Sequence, residues 1–493
     1  MRVNEEVQAK RMHPLWIPLL FIRSVKELVL FSVFLFAVKA LKSDSSFLNI
    51  WIIISILFLI YKSISAFFSW KHFKYIFTEN KILIFEGRLK KKQRFISLDR
   101  IQGIKRSTTL IHRVFNLTSL QLNTGSTGKE GFVKLEMITF DEAERIEKLL
   151  RESGYNKSDS LEGTNSREKS MAARISNKYV YSVKTQEIII GSLTSNSVII
   201  FIAVLHTLYF NLKDFLLIEK YIGNTLSFFQ RSWLTILFGI FIFLILSMAY
   251  TLFNNYIKYR NFRVSSNQHR IFIEKGLIET NLFSIPKEKV QAIDINTSLL
   301  QKFFLIVQVK IISVGKEEGE GEGIGVFNIL FPFIKKDRAL HLVPSILPEF
   351  KINQQMCNLP RSAIIVKTIR GICFGLFIVL IVLKFFPEFW YISVILFLLS
   401  VISQVLNGLH SAYNLNGVYM QLQKGAFTTK LFVTTRSKIE EFKVTESFLQ
   451  RKFGLASIYV YTRADPILKT KMSDIPKEMA IRYYQWYANK NEV

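Results

Sequence analysis

One stretch occurs three times and decides the fold. Residues Phe85–Leu117 read FEGRLKKKQRFISLDRIQGIKRSTTLIHRVFNL, Glu274–Ile306 read EKGLIETNLFSIPKEKVQAIDINTSLLQKFFLI, and Gln423–Leu455 read QKGAFTTKLFVTTRSKIEEFKVTESFLQRKFGL. With Gly87, Gly276 and Gly425 superposed, the copies run without a gap. Each carries a basic–aliphatic pair (Arg100-Ile101, Lys289-Val290, Lys438-Ile439) followed by an amide or acid (Gln102, Gln291, Glu440). Leu110, Leu299 and Phe448 then open the strings Ile-His-Arg-Val-Phe, Leu-Gln-Lys-Phe-Phe and Leu-Gln-Arg-Lys-Phe. Gapless copies of this length mean one structural unit used three times.

Working outward, each copy is preceded by a pair of apolar segments long enough to cross a bilayer, which needs about 20 apolar residues. The pairs are Pro14–Leu41 with Phe47–Phe68, Ile188–Phe210 with Trp233–Phe253, and Ala363–Phe386 with Phe389–Leu406. Trp233–Phe253 carries no charge, whereas Pro14–Leu41 contains Arg23, Lys26 and Glu27. Arg370 and Lys384 lie toward opposite ends of the fifth segment, where long basic side chains snorkel to the interface. The expected map is a tail over 1–13 and hairpins over 14–68, 188–253 and 363–407. Polar domains fill 69–150, 254–350 and 408–493, with linkers at 151–187 and 351–362.

The polar domains read as β-rich. In the second, Arg270–Glu274, Leu277–Ile285, Val290–Asn296, Val307–Val314 and Ile324–Phe331 carry strand-type Ile, Val and Phe content. Gly276 supplies a tight reversal or bulge, and Ser298–Phe304 reads as a turn or two of helix. Closing helices are expected at Phe140–Leu150, Lys335–Leu347 and Lys477–Ala488, the first having apolar residues at helical spacing behind an Asp.

The net charge of +27 requires a polyanionic neighbour, nucleic acid or an anionic membrane face. No basic–aromatic motif of RNA-binding type is present, so no nucleic acid is expected. Basic residues are sparse in the loops within the hairpins. They are dense after them: Lys71, Lys74, Lys81, Arg88, Lys90, Lys91, Lys92 and Arg94, then Lys258, Arg260, Arg263 and Arg270. The positive-inside rule therefore puts both termini and all three polar domains in the cytoplasm. The two cysteines, Cys357 and Cys373, form no C-x-x-C, and Cys373 is expected to be a buried free thiol.

Enzyme signatures fail one by one. The seven histidines are scattered, with no helical zinc spacing, so no metal or cofactor is expected. Gly125–Lys129 is too short for a phosphate-binding loop, and the glutamates of Gly315–Gly325 would repel a pyrophosphate. Both read as strand connections.

A set of β-strands closing with one helix, placed directly after a two-helix hairpin, resembles the bacterial pleckstrin-homology-like membrane proteins of the YdbS/YdbT type. The resemblance rests on Phe85-Glu86-Gly87, on Ile96–Gln102 and on the Leu110–Phe115 turn repeated at Leu299–Phe304. It covers nearly the whole chain and fits the larger, three-module kind. The resemblance implies an α+β membrane protein with three transmembrane helical hairpins. Each would be followed by a PH-like β-barrel or sandwich with a C-terminal helix. It also implies a smaller single-module, YdbS-like partner in the same membrane and a role in protection against membrane-active bacteriocins. The third copy departs at Thr434-Thr435-Arg436, where the first has Ser97-Leu98-Asp99.

The candidate lipid- or partner-binding residues are Arg88, Lys90, Lys91, Lys92 and Arg94, with Arg100, Lys105 and Arg106 as an extension of the same patch. Pleckstrin-like folds often hold a headgroup at the early strand pair. The competing reading is a solvated face that only fixes topology. The second copy has Glu279 and Asn281 in place of Lys90 and Lys92, so the site is not threefold. The leading expectation is a non-enzymatic scaffold binding membrane lipid, the YdbS-like partner, or its own copies. The alternative is a six-span transporter or exporter of a toxic peptide or lipid, with Asn196, His206, Gln404 and Asn407 as the few polar candidates in the spans.

Overall fold

In the computed structural model the described residues are 9–39, 46–78, 81–87, 91–124, 132–150, 179–194, 233–313, 327–353, 355–385, 387–463 and 467–488. Arg88, Lys90, Gly125–Lys129, Arg151–Lys178, Asn196, His206 and Gly315–Gly325, read above from the sequence, lie outside them.

Each polar domain has six strands in two groups of three. The first has β1 (Lys74–Thr78), β2 (Lys81–Glu86) and β3 (Lys92–Ser97), then β4 (Ile101–Thr108), β5 (Leu117–Thr124) and β6 (Phe132–Thr139). A short strand, β7 (Tyr179–Ser182), precedes the second hairpin. The second domain has β8 (Arg263–Ser266), β9 (Arg270–Lys275), β10 (Thr280–Pro286), β11 (Val290–Thr297), β12 (Ile306–Ser313) and β13 (Phe327–Lys335). Before the third hairpin comes β14 (Cys357–Asn358). The third domain has β15 (Ala412–Asn416), β16 (Tyr419–Lys424), β17 (Thr429–Thr435), β18 (Ile439–Thr445), β19 (Leu455–Thr462) and β20 (Leu468–Pro476). Closing helices follow at Phe140–Leu150, Lys336–Ile346 and Lys477–Ala488.

The sheets do not respect the module boundaries. A 3-10 turn at Leu98–Arg100 takes the chain from β3 to β4, which belong to different sheets. The outer strand β4 pairs with β10 of the next module, making one sheet of order β6-β5-β4-β10-β9-β8-β7. The second junction repeats this, β11 pairing with β17 in the order β13-β12-β11-β17-β16-β15-β14. Neighbouring modules thus cover each other's open edges, which would otherwise template aggregation.

The structure also corrects the linker boundaries. Tyr179–Ser182, inside the stretch read as linker 151–187, pairs with β8, and Cys357–Asn358, inside 351–362, pairs with β15. In the first module Lys10 and Tyr75 exchange both backbone hydrogen bonds at 3.0 Å. Each unit therefore begins before its hairpin, and the strand after the hairpin closes back onto it. Strands of two to four residues are too short to show a period in sequence.

The repeat glycines make the reversals between the second and third strands. Gly276 and Gly425 have φ of +106° and +128°, and a Cβ there would meet the carbonyl oxygens of Glu279 and Thr428 at 2.0 and 1.9 Å. Gly87 shares the conformation at φ +126°.

The described apolar helices that could cross a membrane are Ile53–His72, Phe241–Tyr259, Arg361–Phe385 and Trp390–His410. The third hairpin is described almost whole, its helices Arg361–Phe385 and Trp390–His410 joined near Pro387–Phe389. Trp16–Lys39 and Ser46–His72 pair in the first, where Lys62 bonds Glu27 at 3.0 Å. In the second, Thr185–Leu193 packs against Trp233–Tyr259. Cys373 is exposed on its helix, not buried within protein, because a two-helix hairpin packs only one face of each helix.

Three apolar cores follow the modules. The second core takes in Val433 from the third module, and the third takes in Ala292 and Ile312 from the second. Among the described residues, none of the second module enters the first core. The second junction is therefore sealed with apolar side chains, while the first is polar.

Candidate functional site

A cavity of about 280 Å³ sits at that polar junction. Its walls come from the first hairpin helix (Leu19, Arg23), from β4, β5 and β6 (Lys105, Gln121, Lys134, Glu136 among them), and from the second module (Glu279, Asn281, Phe283). The β4–β10 pairing sets the register, with Lys105 opposite Phe283 and Ser107 opposite Asn281. Side chains one strand position apart alternate faces. Lys105 and Ser107 therefore line the cavity, while Arg106 between them turns to the closing helix.

Glu136 is the hub of the site. Its carboxylate accepts from Arg23 Nη1 at 2.7 and 3.0 Å and from Trp16 Nε1 at 2.6 Å, and it pairs with Lys134 at 3.0 Å. Burial by itself would raise this carboxyl, but Lys134 and Arg23, with the indole N–H, hold it below the ordinary carboxylate range. The Glu136 backbone oxygen bonds His112 Nε2 at 2.8 Å. Among the described residues lining the cavity, Arg23, Lys105 and Lys134 stand with the carboxylates Glu136 and Glu279, so the walls suit a small polar or anionic group. Among the described residues no cluster of His, Cys, Asp or Glu could hold a metal ion.

The six described basic residues among those singled out in sequence do not form one patch. Lys91 and Lys92 are exposed, on or beside β3, and Arg94 reaches Glu86 at 3.9 Å. Arg100 is exposed at the end of the 3-10 turn. Lys105 and Arg106 lie on the other sheet. Lys105 sits over the Phe283 ring at 5.1 Å, and Arg106 binds the buried Glu147 at 2.8 Å. Spacing alone groups them, but the sheet break between β3 and β4 separates them.

Sequence reasoning missed Arg23, Lys134, Glu136 and Asn281. The one available signal was the charge of Arg23 within an apolar segment. At the second junction Lys430 pairs with the buried Asp294 at 2.6 Å. Thr434 Oγ1 also donates to the Gln291 carbonyl at 2.8 Å. Of the polar residues considered within the spans, Asn407 accepts from Lys367 Nζ at 3.0 Å.

Strand-paired sandwiches, each closed by one helix and rooted on a helical pair, define a class: bacterial PH-domain membrane proteins. The chain belongs to the bacterial PH domain family, whose model matches residues 28–154, 210–347 and 371–491. It is similar to the protein described as the UPF0699 transmembrane protein YdbT of Bacillus subtilis (strain 168), with 27% identity over 98% of each chain. No solved structure matches.

Proposed function

We propose that this membrane protein is a non-enzymatic scaffold. Its three PH-like domains face the cytoplasm and dock a smaller, YdbS-like protein that carries one such domain. The role we assign to the complex is envelope defence, such as resistance to membrane-active bacteriocins.

One observation carries the reading. Both internal junctions join the fourth strand of one module to the third strand of the next, whereas among the described residues β3 and β18 stand at the edges of their sheets with no such strand beside them. Phe95 on β3 is 64% exposed, whereas Ser284 and Val433, its equivalents in the repeat, are 2% and 0% exposed beneath their neighbours. A separate PH-like module fits either edge by the rule the chain already uses twice, which is strand addition. Charge favours it: Lys91 and Lys92 flank one edge and Glu440 and Glu441 the other.

Purification from detergent at native expression tests this. A smaller PH-domain protein should accompany the chain and be lost with Phe95→Asp or Val444→Asp. Recovery of a lone monomer overturns the proposal. Reporter fusions after Leu347 and Val493 should remain cytoplasmic.

A further inference from the structure

The repeated Leu110–Phe115 motif is not used by the strand junctions, and its structure is unusual in the same way in all three modules. Leu110–Val114, Leu299–Phe303 and Phe448–Lys452 are short helices, each closed at its start by a capping box from Thr109, Ser298 or Ser447. Their polarity is inverted. The middle polar residue is buried: His112 is 5% exposed, Gln301 7% and Gln450 2%. The bulky apolar residues face out: Val114 is 77% exposed, Phe303 78% and Phe448 74%. A turn meant for water would have the opposite arrangement, since exposing such side chains forfeits their burial energy.

The surroundings identify the missing solvent. In the first module His112 bonds the Glu136 backbone, and the Glu136 carboxylate holds Arg23 of the first hairpin. In the second, Ser298 Oγ donates to the Thr194 carbonyl at the end of Thr185–Leu193, at 2.7 Å. In the third, Gln450 Nε2 and Arg370 Nη1 both bond the Asp474 carboxylate, at 2.8 and 2.9 Å. Every turn is thus tied to the first helix of its own hairpin, well beyond that helix's start. From Gly371, the residue after Arg370, the helix runs only to Phe385. At 1.5 Å per residue that is about 22 Å, less than the roughly 30 Å hydrocarbon core. Arg370, and with it the third turn, therefore lies at the depth of the bilayer surface.

We propose that the three capped turns are wedges seated in the headgroup–acyl boundary of the bilayer. Val114 and Phe115, Phe303 and Phe304, and Phe448 and Phe453 enter among the upper acyl chains. The neighbouring Arg113, Lys302 and Arg451 extend to lipid phosphates, as long basic side chains do at interfaces. The wedges orient each PH-like sandwich against the membrane, independently of the basic residues beside β3. The inference rests on the reading that the hairpins span the bilayer.

The test uses the full chain in vesicles of phosphatidylcholine and phosphatidylglycerol, with single cysteines carrying an environment-sensitive fluorophore. In a Cys357→Ser, Cys373→Ser background, Val114→Cys, Phe303→Cys and Phe448→Cys are labelled in turn. Val418→Cys is the control, 56% exposed but at the β15–β16 turn, at the opposite end of β15 from the hairpin helix Trp390–His410. The expected result is blue-shifted emission at the three turn sites. These sites are quenched by lipid nitroxides near the headgroup and not by aqueous iodide, while position 418 shows the reverse. Iodide quenching at the turns, shielding from both quenchers, or lipid quenching at 418 as well overturns the proposal. Native Cys373, labelled alone on its exposed helix face, separates the two readings. If lipid nitroxides fail to reach it, the spanning reading itself is wrong.

Discussion

Arg23, on the first hairpin helix, grips both carboxylate oxygens of Glu136 on β6, at 2.7 and 3.0 Å. The bond ties an apolar helix to the sandwich that follows it, and the third module repeats the device as Arg370–Asp474 at 2.9 Å. Glu136→Gln removes the charge shared by Arg23 and Lys134. It is expected to cost about 1–2 kcal/mol, a loss moderated by the half-exposed Arg23. The pH dependence has a definite sign. A carboxyl held below its ordinary value stabilises the fold above the unfolded pKa near 4. That contribution disappears as pH falls through the lower folded value. Thermal unfolding in detergent from pH 7 to pH 3 should show the parent and Glu136→Gln curves converging at the acid end.

The basic residues separate into two experimental classes. Arg106→Ala removes the guanidinium paired with the Glu147 carboxylate, whose side chain is 1% exposed, and should destabilise the chain by about 3 kcal/mol. Lys91→Ala and Lys92→Ala should leave the melting temperature unchanged, because both side chains are exposed. Equal losses in all three variants would refute the division.

At the second junction, burial raises the Asp294 carboxyl above the ordinary range, against the opposing pull of Lys430, Lys310 and Lys424. Because the folded state then holds the proton more tightly, this group's contribution falls as pH rises from the unfolded value toward the folded one. Lys430→Met should cost about 2 kcal/mol at neutral pH, less than for an isolated pair because two other lysines remain close. The loss should shrink toward pH 4, where a protonated acid needs no cation. A pH-independent loss would count against the pair.

Gly276→Ala and Gly425→Ala should be among the most damaging small substitutions, about 3 kcal/mol or more each. They combine a positive φ with a backbone oxygen 2.0 or 1.9 Å from the new Cβ. Gly417→Ala is the control. Its φ of +51° carries the left-handed penalty of about 1 kcal/mol, with open space around the new methyl. Expression and melting temperature of the three variants would rank them.

Much of the local structure was legible. The closing helices at Phe140–Leu150 and Lys477–Ala488 fall where their spacing put them, and the turn read at Ser298–Phe304 is the helix Leu299–Phe303. These features arise from neighbours within a few residues, which sequence displays directly. The grouping of Arg100, Lys105 and Arg106 with Lys91 did not survive, because adjacent strands in the chain need not be adjacent in a sheet. The cavity was not legible at all, since its walls come from residues as distant as Arg23, Glu136 and Asn281.

The amino-acid order by itself determined a unit used three times, its apolar helices, its strand-rich domains and the places where each turns. Those follow from periodicity, capping and glycine, whose physics acts along the chain. Only the tertiary structure decided that β4 pairs with β10 and β11 with β17, and that each module begins on the far side of its hairpin. A strand edge offers the same N–H and C=O row to any partner. Its choice is made by side chains and helices brought together from elsewhere in the sequence.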